Sequence, residues 1–449
     1  MIIPLTIYII LISIVLFAPL RWSIPAYLLL SCTDFMGNRD SIGLLNTFRG
    51  FAVPIYLLWR LRKQAGHRTI ILAPVAWGLL IVYAGIACFW SDFPVSALKL
   101  VGHMIGSLII AFVFARAAKG GYLNSRVVIP VTAGAILIAF AQYIYLHDWS
   151  NEQSRFSAFT PAQAFAAFIA ALYCVAISAP GLARRTRIWL GSVLALTLIF
   201  NGSRIWFIGI VIATLIAFVI SGARTWAKIF ILSFCILTAC SLIIVRNQLA
   251  QLIRDRAPSN RILAAALAAY EGDFQSQGLG TLRFRRMVYR GAIEQLENST
   301  FTQFVFGRGT SNGSLVTGSL FRGYAGMVDP NRMLHDEWLR TVYEWGLVGT
   351  FLWCSFWVSI IAYAANGVRN DSIGYAKPLL IYVPALLVAL GGENFVAGAG
   401  NAANIGFVML LGYATLAHRY PLRRIDPLLI ETAPQYQMNT RDLIARVPR

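Results

Sequence analysis

Charged residues are scarce in this sequence: they make up 13% of the 449 residues, whereas hydrophobic residues make up 58%. A soluble chain of this length would need more polar surface to cover its core. Its apolar runs instead approach or reach a length of about 20 residues, which is enough to cross a bilayer as a helix. The N-terminus has no basic segment and no small-residue cleavage site, so we expect its first apolar run to be retained as a span. The composition predicts a polytopic membrane protein.

Cysteine and histidine are also few, and neither is arranged for a metal site. The six cysteines all lie in apolar segments without a CxxC pair, and the five histidines are scattered. Cysteines in such surroundings behave as small hydrophobic residues. We therefore expect no disulfide framework, no metal ion and no cofactor.

Basic residues outnumber acidic ones, 38 to 19, and give a formal net charge of +19. They fall in short clusters between the apolar runs, as cytoplasmic turns do under the positive-inside rule. Such clusters orient membrane helices, so the sequence predicts no nucleic-acid partner. The clusters lie at 60–68, 116–126, 184–187, 224–228, 369–377 and 419–424.

Alternating apolar runs and basic clusters predict an all-α polytopic membrane protein with about twelve transmembrane helices. The predicted spans are 2–20, 44–59, 70–90, 97–116, 127–146, 161–181, 188–201, 205–220, 229–246, 341–365, 378–391 and 403–417. Segment 22–35 either crosses, with the N-terminus outside, or only dips into the bilayer, with the N-terminus inside, which we favour. The predicted domains are N-terminal transmembrane helices in 1–245, a periplasmic catalytic insert in 246–340, C-terminal transmembrane helices in 341–420 and a cytoplasmic tail in 421–449.

The insert is the one long polar connection, far beyond the usual loop length, so we expect it to be folded and functional. It contains twelve arginines and no lysine, against eight acidic residues. Arginine binds phosphate oxygens with a planar fork of donors, although a GC-rich genome also favours arginine. Helical patterns are predicted at 261–269 and 283–297, and Gly-rich turns at 278–280 and 307–318.

Four arginines are clustered in the second helical pattern of the insert. On a helix, Arg283, Arg286 and Arg290 share one face, and Arg285 lies about a quarter-turn from Arg286. Like charges stacked in this way repel, so we expect an anionic partner. Arg283, Arg285 and Arg286 remain alternatives for the main contact.

Two further arginines and one histidine stand at predicted membrane boundaries on the side of the insert. Arg204 begins the span "RIWFIGIVIATL", and Arg155 lies in the loop "NEQSRFSAFTPAQ"; boundary arginines also extend towards lipid phosphates. Asp329 can cap a helix with Pro330 at its first position, which predicts His335 in the second turn. A neutral imidazole there can accept a proton near pH 7, whereas a surface histidine at a helix start is the plainer interpretation.

Several motifs within about 150–417 form a specific combination. "HDEWLRTVYEWGLVG" places a leucine, a glutamate and two glycines at fixed distances after His335, and "SRIWFIG" begins a span with Ser-Arg. "RRMVYRGAI", "FGRGTSNG" and "RFSAFTPAQAFA" complete the set. In combination, these motifs resemble the O-antigen ligase and Wzy-type O-antigen (exopolysaccharide) polymerase superfamily.

The resemblance implies an enzyme at the periplasmic face of the bacterial inner membrane. Such proteins transfer a glycan from undecaprenyl diphosphate to an acceptor sugar hydroxyl, with inversion and without a metal. It implies that His335 is the general base, and that Arg204 and Arg285 bind the diphosphate, helped by Arg283, Arg286 or Arg155. Glu344 and Asp336 would support the site.

The acceptor distinguishes two related activities. A polymerase would extend another lipid-linked repeat, which we favour, whereas a ligase would use lipid A core. The implied partners are the undecaprenyl-diphosphate-linked oligosaccharide, the glycan or lipid A core acceptor, membrane lipids and a chain-length regulator. A transporter or flippase of an anionic lipid-linked glycan is the alternative from another class, and it predicts ionisable residues deep in the spans.

Overall fold

A computed structural model describes residues 2–33, 42–62, 72–146, 156–158, 161–220, 280–320, 334, 336–370, 374–391 and 402–417. In these ranges the regular elements are helices and there is no β-strand, which confirms the all-α class. The helices are α1 (Ile2–Phe17), α2 (Leu20–Leu30), α3 (Ile42–Thr47), α4 (Val53–Arg60), α5 (Leu72–Ile86), α6 (Pro94–Lys119), α7 (Val128–Leu146), α8 (Ala162–Ser178), α9 (Arg184–Asn201), α10 (Arg204–Ile220), α11 (Gly280–Glu297), α12 (Phe301–Phe306), α13 (Gly313–Leu320), α14 (Glu337–Asn370), α15 (Lys377–Leu390) and α16 (Ala402–Ala414).

The long apolar helices confirm a membrane protein. Within the described ranges, three are long and apolar enough to cross a bilayer: Pro94–Lys119, Ser125–Tyr145 and Glu337–Asn370. Six shorter apolar helices accompany them: Ile3–Phe17, Val75–Trp90, Ala162–Ser178, Ile205–Ile220, Lys377–Leu390 and Ala402–Ala414. The predicted span 229–246, the helical pattern 261–269, residues 278–279 of the predicted turn and the tail lie outside the described residues, and Gly280, the last residue of that turn, begins α11.

Helices α8 and α16 occupy the centre of the bundle. Nearly all of their side chains are buried, as expected for helices that are apolar all round. Close packing at α16 depends on glycine. A Cβ atom at Gly412 would lie 2.5 Å from Cβ of Phe114 in α6, and one at Gly406 would lie 3.0 Å from Cβ of Ala171 in α8. Small residues at such positions allow membrane helices to approach closely.

Helix α1 runs parallel to the segment formed by α3, the π-helical turn Phe48–Ala52 and α4. The Tyr8 hydroxyl donates to the carbonyl of Leu45 at one end, and Arg60 donates to the carbonyl of Ala18 at the other. If Arg60 is cytoplasmic, as the basic clusters predict, the N-terminus lies on the opposite side. An N-terminus inside and a cytoplasmic Arg60, both predicted from the sequence, are therefore incompatible with this packing, because α2 starts beside Arg60 and returns towards the other face.

Part of the predicted insert has a hydrophobic core of its own. Buried side chains from α11, α13, the segment before α14 and α14 itself form it: Val288, Ala292, Val316, Leu334 and Tyr343. The helix predicted at 283–297 is confirmed as α11, Gly280–Glu297. The Gly-rich turn predicted through residue 318 is wrong beyond residue 312, because the chain becomes helical at Gly313 and packs Val316 into this core.

Candidate functional site

The start of α14 defines the backbone next to the predicted catalytic histidine. Asp336 caps this helix, since its Oδ1 accepts a hydrogen bond of 2.8 Å from the Leu339 N–H. Helix α14 therefore begins at Glu337, and neither Leu334 nor Asp336 is helical. The prediction that His335 lies in the second helical turn concerns a residue outside the described ones. Asp329 and Pro330 also lie outside the described residues.

Three ionisable side chains are completely buried in the first turns of α14. Glu337, Arg340 and Glu344 are all 0% exposed. Arg340 Nη2 lies 2.5 Å from Glu337 Oε1, and Arg340 Nε lies 3.9 Å from Glu344 Oε2. Burying these charges would be costly without such pairing. The sequence reasoning missed Arg340 and Glu337, although their spacing with Glu344 places all three close together on one helix.

Glu344 joins α14 to the turn that precedes α13. Its Oε2 accepts a hydrogen bond of 2.9 Å from the Ser311 N–H, and its Oε1 accepts one of 3.0 Å from the Gly313 N–H. The backbone carbonyl of Glu344 accepts from the Gly309 N–H at 2.9 Å. A single buried residue thus satisfies three donors of the "FGRGTSNG" turn.

The same turn binds the end of α5. The side-chain Oγ1 of Thr310 donates to the carbonyl of Ala84 at 2.7 Å. Asn312 accepts from the N–H of Asp92 at 3.0 Å and donates to its carboxylate at 3.0 Å. The Ser91 hydroxyl donates to the carbonyl of Thr310. No local pattern in a single sequence could reveal these contacts, because the partners are about 220 residues apart.

The core of the insert brings the arginine-bearing helix close to the histidine motif. Val288 of α11 and Leu334, the chain neighbour of His335, belong to the same buried cluster. The Tyr343 hydroxyl of α14 also binds Gln295 of α11 at 2.5 Å. Helix α11 therefore packs against the segment on either side of His335.

Helical phase separates the clustered arginine positions on α11. Position 285 lies on the face of the buried Val288 and Ala292, because helical residues three or four apart share a face. Position 283 lies on the opposite face, and Arg286, about 100° round the helix from position 285, is exposed. The side chains of Arg283 and Arg285 lie outside the described residues.

Helix α15 connects the insert to the start of α10, where Arg204 is the first residue. The indole N–H of Trp338 donates to the carbonyl of Leu387 at 3.3 Å, so the start of α14 contacts α15. On its other side, Tyr382 of α15 stacks on Trp206 with ring centroids 5.7 Å apart. The Arg204 side chain lies outside the described residues, but its helix begins beside the elements that hold the histidine motif.

The backbone near Arg155 also meets the start of α10. Asn201, which ends α9, donates from its amide to the carbonyls of Phe156 and Ala162 at 2.8 and 3.1 Å. Phe156 directly follows Arg155, which lies outside the described residues. The two boundary loops predicted to carry diphosphate-binding arginines are thus adjacent in the chain's fold.

The part of the chain that the structure describes holds no group of three or more His, Cys, Asp or Glu residues suited to a metal ion. Two of its buried carboxylates, Glu337 and Glu344, are paired with Arg340 or with backbone N–H groups. Such an arrangement can hold a loop and a helix start in fixed positions beside the histidine and arginines of the sequence motifs.

Comparison with known proteins gives no family assignment. A scan against protein-family models finds no model that matches this chain. A search of curated proteins finds no significant match either. The residues and their geometry are therefore the basis for assigning a function.

Proposed function

We propose that this protein is an inverting glycan transferase of the bacterial inner membrane. It moves a glycan from undecaprenyl diphosphate to an acceptor sugar hydroxyl at the periplasmic face. The observation that carries the proposal is the shared core of Val288 and Leu334, which joins the arginine-bearing α11 to the backbone next to His335. A base and a set of cations, predicted from separate motifs, then lie in one region.

The proposed topology has about twelve transmembrane helices and the insert on the periplasmic side. Contacts at one end of the bundle support it. The insert binds Asp92 after α5, and Tyr289 donates to the carbonyl of Gly391 after α15 at 3.5 Å. Both partners lie in or next to connections that alternate with the basic, cytoplasmic clusters.

In the proposed reaction, His335 removes the proton from the acceptor hydroxyl. The hydroxyl oxygen attacks the anomeric carbon as the bond from that carbon to the diphosphate oxygen breaks. Attack opposite the leaving group inverts the configuration. Arg204 and Arg285 stabilise the charge that develops on the diphosphate, because fixed donors act most strongly in a site with little water.

Arg285 is the strongest candidate among the clustered arginines. Its position shares the helix face of Val288 and Ala292, which pack next to Leu334. Position 283 lies on the opposite face, and Arg286 is exposed. We assign the main contact to Arg285, with Arg286 and Arg155 as accessory groups that attract the anionic donor.

Asp336 and Glu344 have positioning roles in this scheme. Asp336 fixes the backbone after His335 by capping α14. Glu344 holds the turn before α13 through two backbone N–H groups. These contacts limit the movement of the histidine relative to α11, and preorganisation of this kind contributes strongly to catalysis.

Transfer by the purified protein in lipid nanodiscs tests the proposal, with an undecaprenyl-diphosphate oligosaccharide as donor. We expect His335→Ala to lower turnover about 100-fold to 10,000-fold, the range typical for loss of a general base. Arg285→Ala should also be severely impaired, whereas Arg283→Ala serves as the matched control and should keep most activity. Full turnover by His335→Ala would refute the base assignment, and equal loss in both arginine variants would refute the assignment to α11's inner face.

Two acceptors in the same assay separate the related activities. Extension of a second lipid-linked repeat would identify a polymerase, which we favour. Transfer to lipid A core alone would identify a ligase. The chain-length regulator proposed as a partner should then change product length without changing the rate of a single transfer.

Transport of a lipid-linked glycan is the second candidate, and buried Arg49 favours it. Arg49 is 2% exposed and lies in the π-helical turn Phe48–Ala52, a type of element frequent at functional sites. Ionisable residues inside membrane bundles commonly mark transport pathways. Movement of the donor across vesicle membranes, with no transfer to either acceptor, would support this candidate and refute the transferase.

A further inference from the structure

The short helix α12, within the predicted insert, exposes an apolar surface. Phe301 is 82% exposed, and Phe304 and Phe306 are each 46% exposed. Few soluble surfaces carry such a concentration of large apolar side chains. We call this surface, formed by Phe301, Phe304 and Phe306, the phenylalanine surface.

Contacts along α5 give the depth of α12 relative to the bundle. The Tyr83 hydroxyl donates to the carbonyl of Phe306 at 3.0 Å and to that of Trp345 at 3.1 Å. Tyr83 precedes Trp90, the last residue of the apolar segment Val75–Trp90, by about two helical turns, or about 10 Å. The C-terminal end of α12 therefore lies beside the apolar part of α5, below the end of that segment.

The chain then climbs along α5 as it leaves α12. The Thr310 side chain donates to the carbonyl of Ala84, and the Thr310 carbonyl accepts from Ser91. Asn312 contacts the polar residues Ser91 and Asp92. The segment from Phe306 to Asn312 thus passes from the level of apolar residues to the polar end of α5. The segment reaches the polar end of α5 at Gly309, where a Cβ atom would lie 2.8 Å from the Trp90 carbonyl oxygen, whereas Phe306 lies at the level reached by the Tyr83 hydroxyl.

The surface next to α12 is also apolar. Helix α12 packs against α14 at Gly346, where a Cβ atom would lie 2.6 Å from the Val305 carbonyl oxygen. Just beyond this contact, Leu347 and Phe351 of the membrane span are 49% and 71% exposed. At the end of α5, Phe89 is 90% exposed. The phenylalanine surface continues this exposed apolar surface of the bundle.

The backbone of α12 is suited to a lipid environment. Apolar surroundings offer no partner for the free N–H groups at a helix start. Thr300 and Gln303 form a capping box, in which each side chain accepts from the other residue's N–H. Charge is also absent from α12, whereas Glu294 and Glu297, on the preceding helix, are exposed.

We propose that α12 is embedded in the bilayer, in the leaflet on the side of the insert, with the phenylalanine surface against lipid acyl chains. The insert then enters the membrane between Glu297 and Gly307 instead of lying wholly in water. This anchoring would hold the "FGRGTSNG" turn at the membrane boundary. It does not depend on the proposed glycan transfer.

Spin labels in the full-length protein, reconstituted in phospholipid bilayers, test this proposal. Single cysteines at Phe301 and Phe304, and at Glu297 as the matched control, are introduced into a variant without native cysteines. We expect labels at 301 and 304 to collide more with oxygen, which partitions into lipid, than with a water-soluble nickel chelate. The label at 297 should show the opposite preference.

Two results would overturn the proposal. Access of the nickel chelate to residues 301 and 304 at the level found for 297 would place the surface in water. Shielding from both reagents would indicate cover by protein, such as a second copy of the chain. If the cysteine-free variant does not fold, hydroxyl-radical footprinting of the unmodified protein compares nanodiscs with a sample from which lipid and detergent are depleted: lipid-embedded Phe301 should resist oxidation only in nanodiscs, and oxidation there, or protection in both samples, would overturn the proposal.

Discussion

Gly346 interrupts α14 with a backbone conformation that other residues avoid. Its φ of 60° and ψ of −159° lie in a region accessible essentially to glycine alone. A Cβ atom there would lie 2.4 Å from the Gly307 nitrogen. Gly307 is restricted in the same way, since its Cβ would lie 2.2 Å from the Glu344 carbonyl oxygen. The two glycines allow two backbone segments to cross in contact.

Replacing Gly346 by alanine should therefore destabilise the protein by at least about 1–3 kcal/mol, the cost of such backbone strain, with the steric clash in addition. Gly78→Ala is the matched control, because a Cβ at Gly78 meets nothing within 4 Å and alanine favours a helix interior. Thermal unfolding of both variants in the same detergent measures the difference. Equal melting temperatures would contradict the tight crossing.

The spacing of Gly346 and Gly349 is typical of close helix contacts, but it does not indicate the break in the helix. The break depends on Gly307, about 40 residues earlier, so no helical pattern near Gly346 reveals it. The resemblance implied a supporting role for Glu344 without naming its partners, which are Arg340 and the turn at Ser311. The particular turn could not be predicted, because its contact with α14 is tertiary.

At the scale of elements, α11 has two chemically distinct faces. Val288 and Ala292 are buried in the core of the insert, whereas Met287 and Ile293 beside them are exposed. The core packs α11 against the segment that contains His335. In the proposed mechanism, the face of α11, more than its net charge, decides which arginine acts together with His335.

Truncating Val288 to alanine tests this packing. The loss of buried methyl groups should destabilise the fold by about 1–2 kcal/mol, somewhat less than larger truncations in cores. It should also lower glycan transfer at temperatures where the protein remains folded, since α11 would lose part of its contact with Leu334. Met287→Ala is the control, with an exposed side chain, and should unfold and react like the parent protein. Identical behaviour of the two variants would show that α11 is not held by this core.

Most helices were predictable because apolar length and basic clusters both mark them. The predicted span 97–116, for instance, lies within α6, Pro94–Lys119. The start of α14 was not predictable, because Asp329 and Asp336 are both suitable caps and the local sequence does not choose between them. The observed cap is Asp336. With this cap, Glu337 and Arg340 lie in the first turns of α14, where both are buried.

For the whole molecule, the orientation of the N-terminus depends on packing. Residues 1–43 contain only Arg21 and Arg39 as basic residues, so the positive-inside rule has little to act on there. The hydrogen bonds of Tyr8 with Leu45 and of Arg60 with Ala18 show that α1 runs in the same direction as the segment from Leu45 to Arg60. The orientation of α1 therefore follows from the side on which Arg60 lies. With this direction, α1 leads the chain towards the side of Arg60, and α2 leads it back towards the side on which α3 starts.

Cysteine labelling in spheroplasts tests this topology. In a cysteine-free variant, Glu294→Cys should react with a membrane-impermeant maleimide in intact spheroplasts, because α11 lies on the proposed periplasmic side and Glu294 is exposed. Arg185→Cys, in an exposed basic cluster at the start of α9, should react only after lysis. Ile3→Cys should react like Glu294→Cys, since α1 runs parallel to the segment that ends at Arg60. Labelling of 294 and 185 from one side would exclude the proposed topology, and labelling of residue 3 only after lysis would exclude the orientation of α1.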